Sequence, residues 1–426
     1  MQPRALLIES FRAAVAAADP QYIVPAHLPA PPAFGGRTLV IGAGKAAASM
    51  AAAVETHWPK HAPLEGLVIT RYGHGLPLTR IRCVEAGHPI PDDRGEEATR
   101  TLLTAVQSLG PKDQLIALIS GGGSSLLSLP AEGILMQDLK AVTAQLLSCG
   151  AMIQEINVVR KHLSLIQGGR LAAACRAPIL ALIISDVTGD DPTHIASGPC
   201  SPDPSTYADA LAILHRYAIT APISVLRRLE AGVAGAIHET PKPGDAVFAR
   251  CENRVIATPQ RSLTAAAAVF STAGVTPIIL GDSIIGEARE VGKVFAGLTQ
   301  HIVQHHAPFK PPVALISGGE CTVTVKNAQG RGGRCSTFLL SLAIELNASS
   351  GVYAIAADTD GIDGSESNAG AVIEPNSLAL GHAASMSARA CLDRDDAWGF
   401  FSATDGLVTT GPTLTNVNDY RAILIQ

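Results

Sequence analysis

The sequence predicts an α/β protein of two α/β/α domains with mostly parallel sheets, the N-terminal one Rossmann-like. Three observations carry that reading. Short apolar runs such as Leu115–Ile119 and Ile179–Ile184 are almost unbroken by polar residues, as strands buried on both faces are. They alternate with alanine-rich stretches of helical periodicity, the rhythm of a parallel sheet covered by helices. The run ALISGG also occurs twice, at Ala117–Gly122 and Ala314–Gly319. Each copy is followed by a second apolar strand that empties into an acidic glycine loop, LIISDVTGDD at Leu182–Asp191 and YAIAADTDGIDG at Tyr353–Gly364. In such sheets ligands sit beyond the carboxyl ends of the strands, where these loops fall.

In chain order, Leu6, Leu7, Phe11 and Val15 stand at helical spacing in a segment that ends at Asp19-Pro20. With Glu9 and Arg12 interrupting it, this reads as an amphipathic helix and not a signal peptide. Strands are expected at Thr38–Ile41, Leu67–Thr70, Leu115–Ile119, Ile179–Ile184, Arg254–Thr258, Thr276–Leu280, Val313–Ile316 and Val352–Ala356. Helices are expected at Ala46–His57, Arg94–Leu109, Met136–Leu147, Arg261–Thr272, Gly286–His305 and Ser336–Asn347. The CTVTVKN stretch after Glu320 alternates, which predicts part of an antiparallel hairpin. The PKPGDA segment, Pro241–Ala246, marks the domain boundary: residues 1–240 form the N-terminal domain and 241–426 the C-terminal one, whose last segment is free to pack back on either half.

Composition narrows the function. The 426 residues suffice for two or three domains with real cores. At 47% hydrophobic and 16% charged residues the chain is globular, not disordered. A net charge of −5 argues against nucleic acid or an anionic membrane surface as partner, so any anion-binding charge must be local. No apolar run approaches the length of a membrane span. The eight cysteines are scattered without a CxxC, which points to reduced thiols and a cytoplasmic location. Oligomeric state is left open, a homo-oligomer included.

Four constellations carry chemistry. In LVIGAGKAAASM, Gly42, Gly44 and Ala47 match a dinucleotide fingerprint between strand and helix. The next strand, however, ends in Thr70, Arg71, Tyr72 and Gly73, without the acid that would hold a ribose. Lys45 beside the helix start is instead poised for a phosphate or carboxylate. Second, Ser120, Gly121, Gly122, Gly123, Ser124 and Ser125 offer amides and hydroxyls to an oxyanion, without P-loop spacing. Third, the loop from Ile184 clusters Asp186, Asp190 and Asp191, any of which can serve as general base for a hydroxyl or as a Mg²⁺ ligand. His194 in that loop reads as structural. Fourth, Arg331 and Arg334 flank two glycines before a helix; a cation there opposes the helix dipole, which implies a bound anion.

The second ALISGG copy offers Ser317, Gly318, Gly319 and Glu320 as an anion-facing turn. The later loop offers Asp358 and Asp360 with Asp363, which, like Asp190, are candidates for a metal, although EF-hand offsets are absent. Arg160, Lys161 and Arg170 fall on an amphipathic helix, by default a solvated or interface face.

Together the segments AAVAAADP, VIGAGKAA, GHPIPDDRG, LISGGGSSLL, INVVRKHLSLIQGGRLA, ISDVTGDDPTHIASGP, SGGECTVTV, GRGGR, DTDGIDGSE and TGPTLTNVNDYRAIL resemble the class II glycerate kinases, the MOFRL family. That family includes tartrate-utilisation proteins often labelled hydroxypyruvate reductases. The resemblance implies ATP-dependent phosphorylation of D-glycerate to 2-phosphoglycerate with Mg²⁺ or another divalent cation, in a cleft between two α/β/α domains. It also implies functional roles for Lys45, an aspartate of the SDVTGDD loop (Asp186 and Asp191 as catalytic candidates) and Arg334. Where relatives commonly continue GGR with polar residues and a glutamate, this chain has Cys335, Ser336 and Thr337. Glycerate and a nucleotide are thus the expected partners. Replacing Lys45 or Arg334 by alanine is expected to remove activity with little loss of stability. The alternatives are an NAD(P)H-dependent hydroxypyruvate reductase and a non-catalytic sugar-acid-binding protein.

Overall fold

Six apolar runs of the first half line up as one sheet in this computed structural model, which describes residues 2–33 and 35–426. They are β1 (Thr38–Ala43), β2 (Leu64–Arg71), β3 (Ile81–Ala86), β4 (Gln114–Ile119), β5 (Ile179–Ile184) and β6 (Cys251–Ala257), in the order β3-β2-β1-β4-β5-β6. The pairings from β3 through β5 are all parallel. The strand order reverses between β1 and β4, which is where a doubly wound sheet opens a crevice. Alternate residues Leu39, Ile41 and Ala43 of β1, with Leu115, Ala117 and Ile119 of β4, enter one core with Leu102 and Val106 of the helix Asp93–Gln107. A second cluster joins the helices Met136–Ser148, Ile153–His162, Tyr207–Arg216 and Ile223–Val233 into a helical layer. These elements make up the unit Pro20–Ile256.

The second sheet belongs to the unit formed by Ala257–Gln426 with the N-terminal residues up to Asp19. Its strands are β7 (Thr276–Gly281), β9 (Val313–Ser317), β11 (Val352–Asp358), β12 (Gly370–Ile373), β13 (Leu407–Val408) and β14 (Asp419–Ile425), in the order β13-β12-β11-β14-β9-β7. A separate two-residue pair joins β8 (Gly286–Glu287) to β10 (Cys321–Thr322).

The α/β class holds, but this second sheet is mixed: only β7 and β9 pair in parallel, while β9–β14, β14–β11, β11–β12 and β12–β13 are antiparallel. The physical reason is β14. It enters from the chain's end between β9 and β11 and runs against both. The hairpin expected at CTVTVKN is also corrected, because Cys321–Thr322 pairs in parallel with Gly286–Glu287 across a helix.

Period-two alternation sorts the second sheet's side chains between two cores. Leu315, Ala354, Ala356 and Ile423 face Phe338 and Leu342 of the helix Arg334–Leu346. Ile316, Ile355, Ala422 and Leu424 face Leu6, Leu7 and Phe11 of the first helix, Pro3–Ala16, and Leu263 and Phe270 of the helix Pro259–Thr272. The apolar stripe of the first helix therefore fixes it to the last part of the chain. The two units part at Ile256, beyond the boundary expected after residue 240. Thr240 is buried on Asp203, its hydroxyl donating to Oδ2 at 3.0 Å, and β6 still belongs to the first sheet. The PKPGDA segment is therefore a turn inside a unit.

Candidate functional site

The turn after β1 is stitched to the turn after β4. The Ser120 amide donates to the Ala43 carbonyl (3.1 Å), the Lys45 amide to the Gly121 carbonyl (2.8 Å), and the Ala46 amide to Ser120 Oγ (3.1 Å). Gly44 has φ +133°, and a Cβ there would lie 2.2 Å from Ser120 Oγ. Only glycine fits. This stitching spends the amides of a nucleotide cradle at the helix start, since Gly44 N–H also donates to Ile69 O (3.1 Å). A dinucleotide pyrophosphate has no backbone donors left at Gly44, Lys45 and Ala46.

In the Ser120–Ser125 turn the Ser120, Gly123 and Ser125 amides are spent on the carbonyls of Ala43, Ser120 and Gly122. The amides of Gly121 and Gly122 donate to no group among the described residues, so they are available to an oxyanion. Neighbours hold the turn on two sides. His88 Nδ1 and Ser125 Oγ are 2.8 Å apart, and the His88 ring lies over Gly122, where a Cβ would come within 3.0 Å of Cε1. Ser124 Oγ meets Ser197 Oγ at 2.9 Å, Ser197 Oγ donates to Asn157 Oδ1 at 3.1 Å, and Gln167 Nε2 donates to Ser124 O at 2.8 Å. A Cβ at Gly123 would sit 2.5 Å from Ala196 Cβ. The glycine turn and the end of the acidic loop are thus one interlocked piece.

That loop leaves β5 at Ile184, directly beside β4. Asp190 adopts φ +54°, and its buried Oδ1 lacks a hydrogen-bond partner. Burial pushes the Asp191 carboxyl up, but hydrogen bonds from Thr193 and the charges of His194 and Lys161 bring it below its ordinary value. Burial first, then the Lys161 charge, holds His194 below the usual histidine range against Asp191 and Asp203. Lys161 itself is 2% exposed and pairs with Asp203 at 3.4 Å. The solvated face expected for Arg160, Lys161 and Arg170 on one helix is corrected: Lys161 is buried, burial lowers the Arg160 pKa to about 10, and Arg170 opens a separate short helix, Arg170–Ala174. Arg170 donates to the Tyr207 hydroxyl (3.1 Å).

In the other unit, Arg334 opens the helix Arg334–Leu346. Its guanidinium donates through Nε to Asp419 Oδ1 (2.7 Å), through NH1 to Glu320 Oε1 (2.9 Å) and through NH2 to Asp358 Oδ2 (2.8 Å). Burial alone would lower its affinity for the proton; Asp419, Asp358 and Glu320 raise it well above the ordinary arginine value. The unfavourable position at a helix start is therefore offset by the protein's own carboxylates. Asp363 caps the same helix by accepting from the Cys335 and Ser336 amides (2.9 and 2.8 Å). Arg421 closes the network, donating to Asp419 Oδ2 (2.6 Å) and to the Gly318 carbonyl (3.0 Å). Gly319 has φ +109°, and a Cβ there would lie 2.2 Å from Ile284 O. Ser317 Oγ is buried without a hydrogen bond.

Asp358 and Asp360 each accept a backbone hydrogen bond within their own loop. Asp358 Oδ1 accepts from the Asp360 amide (3.0 Å), and Asp360 Oδ1 accepts from the Ile362 amide (2.9 Å). Among the described residues no three His, Cys, Asp or Glu side chains are grouped to hold a metal ion. The unsatisfied Asp190 Oδ1 is the atom of this loop that a hard cation would suit.

Sequence reasoning singled out Gly44, Lys45, Ser120–Ser125 and the acidic loop, which fall in one unit, and Glu320, Arg334 and Asp358, which fall in the other. It missed His88, Asn157, Ser197, Asp419 and Arg421 as supports. Their signals are weak because each acts only through a partner distant in sequence.

Residues 6–230 match a family model described as a domain of unknown function, DUF4147, and residues 313–419 match the MOFRL family model. A protein of Agrobacterium vitis, named provisionally as a hydroxypyruvate reductase, is 50% identical over 99% of this chain and 94% of its own length. The glycerate 2-kinase of Pyrococcus horikoshii is 38% identical over 90% of this chain and 86% of its own. The crystal structure of a glycerate kinase from Thermotoga maritima superposes with a TM-score of 0.86 at 36% identity, covering 99% of both chains.

Proposed function

Because this chain belongs to the MOFRL family and has glycerate kinases among its relatives, we propose that it is a glycerate kinase that moves the terminal phosphoryl group of ATP to the C2 hydroxyl of D-glycerate, giving 2-phosphoglycerate. The observation that carries the reading is the turn Ser120–Ser125. Its Gly121 and Gly122 amides are undonated, and the turn is joined to the Lys45 backbone on one side and, through Ser124 and Ser197, to the end of the acidic loop on the other.

Phosphoryl transfer requires positioning and charge neutralisation more than covalent chemistry. The Gly121 and Gly122 amides bind an oxyanion of substrate or nucleotide. Lys45 offsets charge on the same anion. A carboxylate of the acidic loop, Asp186 or Asp191, orients the C2 hydroxyl and accepts its proton, and Asp191 is held in its ionised form by Thr193 and Lys161. Asp190 would hold Mg²⁺, which would supply charge neutralisation.

A coupled assay of ADP formation from ATP and D-glycerate tests the reading, with the product identified as 2- or 3-phosphoglycerate. Absence of ADP with every divalent cation tried removes it. The reductase reading predicts NADH oxidation by hydroxypyruvate; the occupied amides of Gly44, Lys45 and Ala46 and the missing acid after β2 weigh against it.

A further inference from the structure

We propose that Cys251 and Cys200 form a peroxide-reactive dithiol, a modification site in which Cys251 is oxidised first and Cys200 resolves it to a disulfide. Both lie in the unit Pro20–Ile256, away from the catalytic turns but attached to them. Cys200 ends the stretch that begins with the acidic loop and passes through Ser197, whose hydroxyl holds Ser124. Cys251 opens β6.

The Cys251 sulfur is held against the Cys200 peptide. The Cys251 thiol donates to the Cys200 carbonyl at 3.3 Å, and Asn253 Nδ2 donates to the same oxygen at 2.9 Å, which pins that peptide against β6. Cys200 is 1% exposed, whereas Cys251 is only partly covered. An oxidant arriving from solvent therefore meets Cys251. Arg250 donates through Nε and NH2 to the Cys175 carbonyl (3.2 and 2.7 Å), which fixes a positive charge next to Cys251.

Electrostatics assign the same order. A hydrogen bond from the Cys200 thiol draws Cys251 below the ordinary thiol value, against burial and with help from Arg250. The same bond, together with burial, pushes Cys200 well up. The thiolate is the nucleophile in such chemistry. Its sulfur attacks one oxygen of a peroxide, the O–O bond breaks, and water leaves with sulfenic acid formed on Cys251. The Cys200 sulfur then attacks the sulfenic sulfur, and its proton departs with the hydroxyl as a second water. One peroxide is reduced and two thiols are oxidised to one disulfide.

Trypsin places the three neighbouring thiols on separate peptides: Cys251 on Cys251–Arg254, Cys200 on Ala177–Arg216 and Cys175 on Leu171–Arg176. The full-length reduced protein is treated with hydrogen peroxide, digested without reductant and read by mass spectrometry. The expected product joins the first two peptides, with the mass lowered by two hydrogens. In a Cys200→Ser variant, a dimedone adduct is expected on Cys251 at a rate about tenfold above that of the more exposed Cys149. A disulfide to Cys175, no linked peptide in the wild-type protein, or Cys149 reacting first overturns the assignment. The wild-type measurement stands whether or not the variant folds.

Discussion

Lys45 and Arg334 are both cations at helix starts, yet they are set in different surroundings. Lys45 borders a glycine turn whose Gly121 and Gly122 amides donate to no group among the described residues. Arg334 is gripped by Asp419, Asp358 and Glu320, with Asp419 wholly buried and Asp358 nearly so. Lys45→Ala is expected to lower turnover by about 10²–10³ in an assay of ADP formation, as loss of one charge-stabilising donor does. Arg334→Ala strands buried carboxylates and is expected to cost about 3–5 kcal/mol in urea unfolding. That reverses the sequence expectation of little stability loss. Arg334→Lys keeps the charge but lacks the planar fork that reaches three carboxylates, so it should recover only part of that stability.

Among the elements, long apolar ones were legible and short or polar-tipped ones were not. Ile179–Ile184 forms over its expected span, whereas β3, β12 and β14 escaped notice. In β3, Arg82 and Glu85 interrupt the apolar run. β14 begins with Asp419, Tyr420 and Arg421, and its partners lie far away in sequence. The first helix illustrates the same limit. Its stripe was readable, but its receiving surface was not. Phe11, 1% exposed, packs beside Tyr420, and Phe11→Ala should cost about 3–5 kcal/mol in unfolding of that unit.

The helix Ile153–His162 carries a pH-dependent contribution. Burial holds His162 below its ordinary value against the Val158 carbonyl, Asp203 and Glu239. As pH falls below about 6.5 the unfolded chain takes up a proton that the folded one resists, so this stability is present above that pH and is lost toward the folded value. His162→Gln should shrink the drop in urea midpoint between alkaline and mildly acidic pH. An unchanged drop removes His162 as its source.

For the whole molecule, the division at Ile256 yields a prediction about fragments. A fragment Pro20–Ile256 contains every strand of the first sheet except the last residue of β6 and is expected to fold alone. A fragment Ala257–Gln426 lacks the helix that covers Ile316, Ile355 and Leu424, and is expected to be insoluble until that helix is supplied. Circular dichroism and thermal unfolding of the two fragments check both outcomes. By itself the sequence determined the α/β class, the glycine turns, the acidic loops and the grouping of Lys45 with Ser120–Ser125, because each follows from local composition and strand-end chemistry. Tertiary structure alone decided that β14 runs antiparallel in the middle of the second sheet, that the first helix serves the last unit, and that Arg334 answers to three carboxylates. Those facts depend on which distant segments meet, and no local pattern encodes a partner that burial and charge select only once the chain has folded.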